Sequence, residues 1–220
     1  VLYRSNYQSR KIEDILRNKR IPYRIVGSKS FYERREVRDV VAYLKLVANP
    51  LDGQSFLRII NVPSRGIGDK SIQELKEANK KQEKSFLDLA GTPEFLQNIG
   101  KKASESFRLF HDTIQKWRKA FHTRGDLYEK AEQFIREIGY IEGLKQIYKD
   151  PEEVAKKIEN AQELLNMISE FERNPEEHEP TIIGFLEKFC LQDDSDKIDD
   201  HSDDKKKNAV TLMTVHAAKG

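Results

Sequence analysis

Apolar residues recur at helical spacing through most of this 220-residue chain and at strand-like spacing only towards its two ends. Residues 1–3 (VLY) are a short apolar start, and residues 21–26 (IPYRIV) alternate and stop at Gly27. Between them Ile12, Ile15 and Leu16 share one face of a helix predicted over residues 9–18. Strand, helix and strand in this short space predict a βαβ unit with a parallel pair. Residues 209–215 (AVTLMTV) return to strand character. The simplest arrangement pairs residues 210–215 with 1–3 and 21–26 in one α/β sheet, interrupted by a long helical insertion.

The insertion reads as helix after helix. Val37, Val40, Val41, Leu44 and Val47 mark an amphipathic helix that ends at Asn49-Pro50. A shorter helix over residues 54–61 stops at Pro63, and a third starts near Asp69 with Ile72 and Leu75 turned inward. Ala103, Phe107, Phe110, Ile114, Trp117 and Phe121 repeat at steps of four and three. Leu127, Ala131, Phe134, Ile135 and Ile138 form the next stripe. Val154, Ile158, Ala161, Leu165, Ile168 and Phe171 form another, opened by Asp150 as cap and Pro151 in the first turn. Thr181 is the expected cap of a last helix through Cys190, and residues 192–207 (QDDSDKIDDHSDDKKK) read as a polar surface loop. Stripes of ordinary width on every helix predict a helix-bundle core rather than a cofactor groove.

Charged residues make up 35% of the chain and mean hydropathy is −0.74, yet the regular apolar spacing predicts a soluble helical protein rather than disorder. No apolar run approaches the roughly 18 residues of a membrane span, so no membrane partner is expected. Cys190 is the only cysteine, which excludes a disulfide framework and fits a cytoplasmic location. The net charge of +2 hides an asymmetry. Residues 1–71 hold 15 Lys/Arg against 7 Asp/Glu (+8), while residues 150–204 hold 5 against 18 (−13). A basic front and an acidic back would orient the molecule toward a polyanion, and two solvated helical surfaces explain the same numbers.

Three stretches have the residue types for anion contact. In NVPSRGIGDKSIQEL, Gly66-Ile67-Gly68 precedes a helix, where backbone N–H groups approach a phosphate, and Arg65 and Lys70 add charge. Asp69 argues for a plain capped turn instead. In LYRSNYQSRKIEDIL, Arg4 and Asn6 follow a strand, at the end where open α/β sheets bind ligands. The local alternative has Asn6 or Ser9 capping the helix and Arg10 paired with Glu13 or Asp14. In VTLMTVHAAKG, His216 follows a strand directly, with Lys219 and Gly220 beyond it. Glu33, Glu36 and Asp39 read as a solvated helix start. No Gly-x-x-x-x-Gly-Lys-Ser/Thr phosphate loop, no clustered metal ligands and no nucleophile–base pair stand out.

Taken in order, these stretches resemble the superfamily 1A DNA helicases of the UvrD, Rep and PcrA type. LYRSNYQSRKIEDIL is similar to their fourth helicase motif, and IPYRIVGSKSFYERREVRDVVAYLKLVANPLD to the segment leading into their 2B subdomain. FLRIINVPSRGIGDKSI resembles their GIG element, and VTLMTVHAAKG the first part of motif V. The resemblance implies a mainly α fold: a helical 2B-type insertion within a small α/β, RecA-like stub formed by both chain ends. It places residues 1–28 and 208–220 in the motor subdomain 2A and residues 29–207 in 2B. It implies single-stranded DNA contact by Arg4, Asn6 and His216, and duplex backbone contact by Arg65, Gly66, Ile67, Gly68, Lys70 and Ser71. Ser28 stands where a second glycine is usual, and Ser5 and Ser71 where threonine is common.

The family's Walker motifs would precede Val1, and the rest of motif V with motif VI would follow Gly220. ATP and Mg²⁺ are therefore expected in the parent helicase, with its 3′→5′ unwinding, and no cofactor or catalytic residue in this segment, which is expected to be inactive alone. The alternative is a helical protein-interaction module whose acidic stretch, residues 150–204, docks protein partners.

Overall fold

The computed structural model describes residues 1–4, 8–26, 30–174, 180–198, 209–215 and 218, with the backbone alone for Asn18 and residues 192–198. Both ends of the chain meet in one sheet. Its order is β1 (Leu2–Tyr3), β3 (Val210–Thr214), β2 (Tyr23–Val26), with both pairings parallel. The two strands of the βαβ unit are therefore not each other's partners, as the spacing had predicted. β3 lies between them because it has bonding groups for both sides. On one side Met213 N–H reaches the Val1 carbonyl at 3.2 Å; on the other Val210 N–H reaches that of Pro22 at 2.8 Å. Leu212, at the centre of β3, is fully buried.

The helix α1 (Ser9–Asn18) links β1 to β2, and its packed face reverses the expectation. Ile15 is 57% exposed, whereas Ser9, Arg10 and Glu13 are buried. Ile12 and Leu16 are half-buried, so the expected apolar face fails at Ile15, and the packed surface is largely polar. Arg10 Nε donates to Glu163 at 2.6 Å and Nη2 to Glu170 at 3.2 Å, both carboxylates lying on α10 (Pro151–Glu172). The local pair with Asp14 forms as well, at 3.5 Å.

A 3-10 turn at Phe31–Glu33 leads into α2 (Arg35–Ala48), the axis of the helical body. It is packed by α3 (Gly53–Ile59), α7 (Lys101–His122), α10 and α11 (Ile182–Ile198), so more than one apolar stripe is covered. Val37, Val40, Val41, Leu44 and Val47 are at most 5% exposed, and Tyr43 and Leu46 are fully buried. Glu36 and Asp39 correct the sequence reading: they are 1% and 3% exposed, not solvated. Glu36 is bonded by Asn160 and by Lys157, the latter at 3.1 Å. Asp39 accepts from Arg58 at 2.8 Å and from Tyr140 at 3.2 Å. Burial pushes the Asp39 pKa up from its ordinary value, against the pull of Arg58.

The remaining stripes hold. Those of α7 and of α8 (Leu127–Glu137) are buried at the spaced positions. Asp150 caps α10 by accepting from Glu152 N–H at 3.0 Å, and Thr181 caps α11 through Gly184 N–H at 3.2 Å. The acidic tract does internal work too: Glu172 accepts from the Leu127 and Tyr128 amides at 2.6 and 3.1 Å, closing the start of α8. α4 (Asp69–Gln82) follows the predicted start. Three short helices were not foreseen: α5 (Phe86–Gly91), α6 (Pro93–Gln97) and α9 (Tyr140–Ile147). α11 runs on to Ile198, so residues 192–198 are helix rather than loop, while 199–207 lie outside the described residues. No helix among the described residues is long and apolar enough to cross a membrane.

Replacing Glu163 by alanine leaves buried Arg10 without its nearest counter-charge and is expected to cost about 3 kcal/mol in urea denaturation. The exposed Lys116–Glu137 pair is the control, and Lys116→Ala should cost less than about 1 kcal/mol.

Candidate nucleic-acid interface

Glycine, a buried anchor and a guanidinium together shape the connection from α3 to α4. Asp52 starts α3 by accepting from Ser55 N–H at 2.9 Å. At the other end of α3 the carbonyls of the last turn have no helical partner, and Arg65 folds back to take them. Its Nη1 donates to the carbonyls of Ile59, Ile60 and Pro63 at 3.0, 3.2 and 3.1 Å. Its Nη2 donates to the Tyr43 hydroxyl at 2.5 Å, and that hydroxyl in turn donates to the Val62 carbonyl. Burial pushes the Tyr43 pKa up to about 12, so the hydroxyl keeps the proton it donates. The guanidinium also lies 5.0 Å from the centre of the Phe110 ring.

With Arg65 held, the next three residues alternate. Gly66 and Gly68 are exposed, and Ile67 between them is 2% exposed. Gly66 has φ +71°, a left-handed conformation that glycine adopts without penalty. Arg65 N–H donates to Asn61 Oδ1 at 2.7 Å, and Ser106 of α7 donates to the Arg65 carbonyl at 2.8 Å. A Cβ placed on Gly66 would lie 3.1 Å from Lys102 Cε, so this lysine's stem crosses the glycine. A Cβ on Gly68 would meet nothing within 4 Å. Gly68, not Asp69, is the N-cap of α4, and Asp69 makes no capping bond. Lys70 projects from the first turn with its side chain 91% exposed, its ammonium 3.9 Å from Glu74. Ser71 follows, half-buried.

The second predicted group sits at the sheet edge. Arg4 is exposed just past β1, with its backbone N–H donating to Gln8 Oε1 at 3.1 Å. Gln8, rather than Asn6 or Ser9, occupies the N-cap position of α1, without a side-chain capping bond. Val215, just past β3, donates its N–H to the Tyr3 carbonyl at 3.0 Å, so the ends of β1 and β3 lie side by side. Asn6 and His216 lie outside the described residues. Arg4 and the segment 65–71 belong to separate elements, the sheet edge and the α3–α4 connection. The one cation that sequence reading missed is Lys102: only the docking of α7 on the loop brings it to Gly66. Among the described residues no group of His, Cys, Asp and Glu is arranged to hold a metal.

Comparison with known proteins adds a family to this geometry. The model of the UvrD-like helicase C-terminal domain matches residues 1–220. A protein named ATP-dependent DNA helicase PcrA from Staphylococcus aureus (strain Mu50) is 33% identical over 220 residues, covering 100% of this chain and 29% of the relative. Proteins of the same name from Leuconostoc citreum and Bacillus subtilis (strain 168) are each 35% identical, again over 100% of this chain and 29% of their own length. The chain thus spans less than a third of the curated relatives it matches.

The loop's shape has a direct test. Gly66→Ala forces a side chain into left-handed backbone and against the Lys102 stem, and should cost about 1–2 kcal/mol by urea denaturation.

Proposed function

The chain belongs to the UvrD-like helicase C-terminal domain family, and on that premise we propose that it is a segment of an ATP-driven 3′→5′ DNA helicase that grips DNA without performing hydrolysis. In this reading residues 1–28 and 208–220 are parts of the RecA-like subdomain 2A and residues 29–207 form the 2B insertion. ATP and Mg²⁺ serve the parent enzyme; the sequence of this segment carries no phosphate-loop motif to hold them. Arg4, Asn6 and His216 contact single-stranded DNA at the strand ends, and the segment from Arg65 to Ser71 meets the duplex backbone.

One observation carries the duplex reading. Gly66 and Gly68 expose their backbone on either side of buried Ile67, and nothing among the described residues requires Gly68 to lack a side chain. A bare backbone at the start of a helix is the surface that lets a phosphate approach N–H groups closely. Contact of this kind positions the duplex and reads no sequence. The protein-docking alternative is weakened by the acidic residues already in internal use, Glu163, Glu170 and Glu172.

Fluorescence anisotropy with a forked DNA tests the reading. Binding should be indifferent to sequence and fall steeply with salt, as phosphate contacts require. Gly68→Ala should cost at most about 1 kcal/mol in folding, as a loss at a cap position, yet weaken duplex binding. Absence of binding at low ionic strength would overturn the proposal. DNA-stimulated ATP hydrolysis by the segment alone, above a mock preparation, would overturn the assignment of hydrolysis to the rest of the parent.

A further inference from the structure

The segment from Arg65 to Ser71 contains two cations of the right sign for a phosphate, and their surroundings make both poor candidates for its principal charge. Arg65 already spends its guanidinium inside the protein, on the carbonyls of Ile59, Ile60 and Pro63 and the Tyr43 hydroxyl. Turning it outward would take this donor from the Ile60 and Pro63 carbonyls and uncover the Phe110 ring beneath it. Lys70 is free to move, but Asp69 precedes it in the same turn and Glu74 lies 3.9 Å from its ammonium. A phosphate at that position would meet two carboxylates along with one lysine.

Lys102 has neither handicap. It sits in the first turn of α7, a turn without an acidic residue, and although Glu105 follows three residues on, Lys102 forms no ion pair among the described residues. Its side chain is exposed and lies over the glycine: the point where a Gly66 Cβ would stand is 3.1 Å from its Cε and 3.5 Å from its Nζ. One turn further along the same face of α7, Ser106 donates to the Arg65 carbonyl at 2.8 Å and ties the helix to the residue before Gly66. Residues 102 and 106 therefore dock as a pair, and the ammonium is carried to the exposed glycine.

We propose that Lys102 supplies the charge that binds a nucleic-acid phosphodiester at the Gly66–Gly68 backbone, and that Arg65 is a positioning residue that holds this backbone in shape. The inference rests on the duplex-contact reading above and assigns roles within it. The site then has two parts from distant stretches of sequence. The loop contributes backbone N–H groups and the absence of side chains. α7 contributes a point charge on a flexible stem, suited to a phosphate oxygen whose direction varies with DNA sequence.

The test uses the full 220-residue chain and a fluorescein-labelled duplex, titrated at several salt concentrations. Lys102→Gln should weaken binding about tenfold at low salt and reduce the salt slope by about 0.9, the loss of one phosphate contact. Arg65→Lys keeps the charge but not the fork that spans three carbonyls. It should weaken binding as much as Arg65→Gln does, with the wild-type salt slope kept in both. A wild-type slope in Lys102→Gln would overturn the proposal. So would Arg65→Lys binding like wild type while Arg65→Gln loses slope, since Arg65 would then be the phosphate ligand. If the Arg65 variants do not fold, by circular dichroism, the slope of Lys102→Gln alone decides. Failure of the wild-type chain to bind duplex at all would remove the duplex reading together with this inference, a result distinct from either variant outcome.

Discussion

The buried pair between Arg10 and Glu163 joins the two halves of the molecule, their side chains 5% and 8% exposed. Arg10 belongs to the helix beside the sheet, and Glu163 to the long helix α10 of the helical body. Around this pair the same contact continues in polar form. Arg34 donates to Asn160 at 2.7 Å and to Ser9 at 2.9 Å, Asn160 donates to Glu36, and Ser30 donates to Glu13 at 2.8 Å. Tyr32 closes the edge by donating to Asp14 at 2.8 Å, and burial pushes the Asp14 pKa up despite that bond. Such a contact adds little net stability over apolar residues of equal volume. Its effect is alignment: any slip of α1 along α10 leaves a desolvated charge without a partner.

A second polar device, smaller and more local, sets the surface that faces outward. Arg65 gathers the end of α3 into a fixed turn, and Tyr43, on the central helix, holds Arg65. Through Tyr43 the loop is continuous with the aromatic core, whose rings from Phe110, Phe134 and Tyr140 all lie within 6.5 Å of it. The proposed DNA contact is thus mounted on the aromatic core of the helical body. A loop of glycines is usually a soft element; here its shape is imposed from beneath.

Much of this was legible in the sequence where a single rule governs the outcome. The stripes of α2, α7 and α8, the Asp150 and Thr181 caps and the joining of both chain ends in one sheet follow from periodicity and capping alone. The failures share one cause. α1 turned its charged face inward, and Glu36 and Asp39 went under, because their partners stand far away in sequence: Arg10 and Glu163 are 153 residues apart, and Glu36 and Asn160 are 124. A local pattern contains no trace of such a partner. The short helices α5 and α6 escaped because five or six residues span fewer than two helical turns, too few for a stripe to repeat, although Ser85 with Asp88, and Thr92 before Pro93, mark their starts. At the candidate site the glycines and Arg65 were visible as residues. The inward use of Arg65 and the arrival of Lys102 were not, since both depend on how α7 docks.

The order of the strands has a consequence in time. The middle strand of the sheet is made after the two strands it separates, and the Val1 nitrogen bonds to Thr211 across 210 residues. At about 5–20 residues per second of synthesis, β1 and β2 wait roughly 10–40 s for the strand that separates them. During that interval their shared neighbour is absent, and pairing with each other would have to be undone. β1 is two residues long and β2 carries a charged Arg24 at its centre, which makes each a poor template for the wrong neighbour.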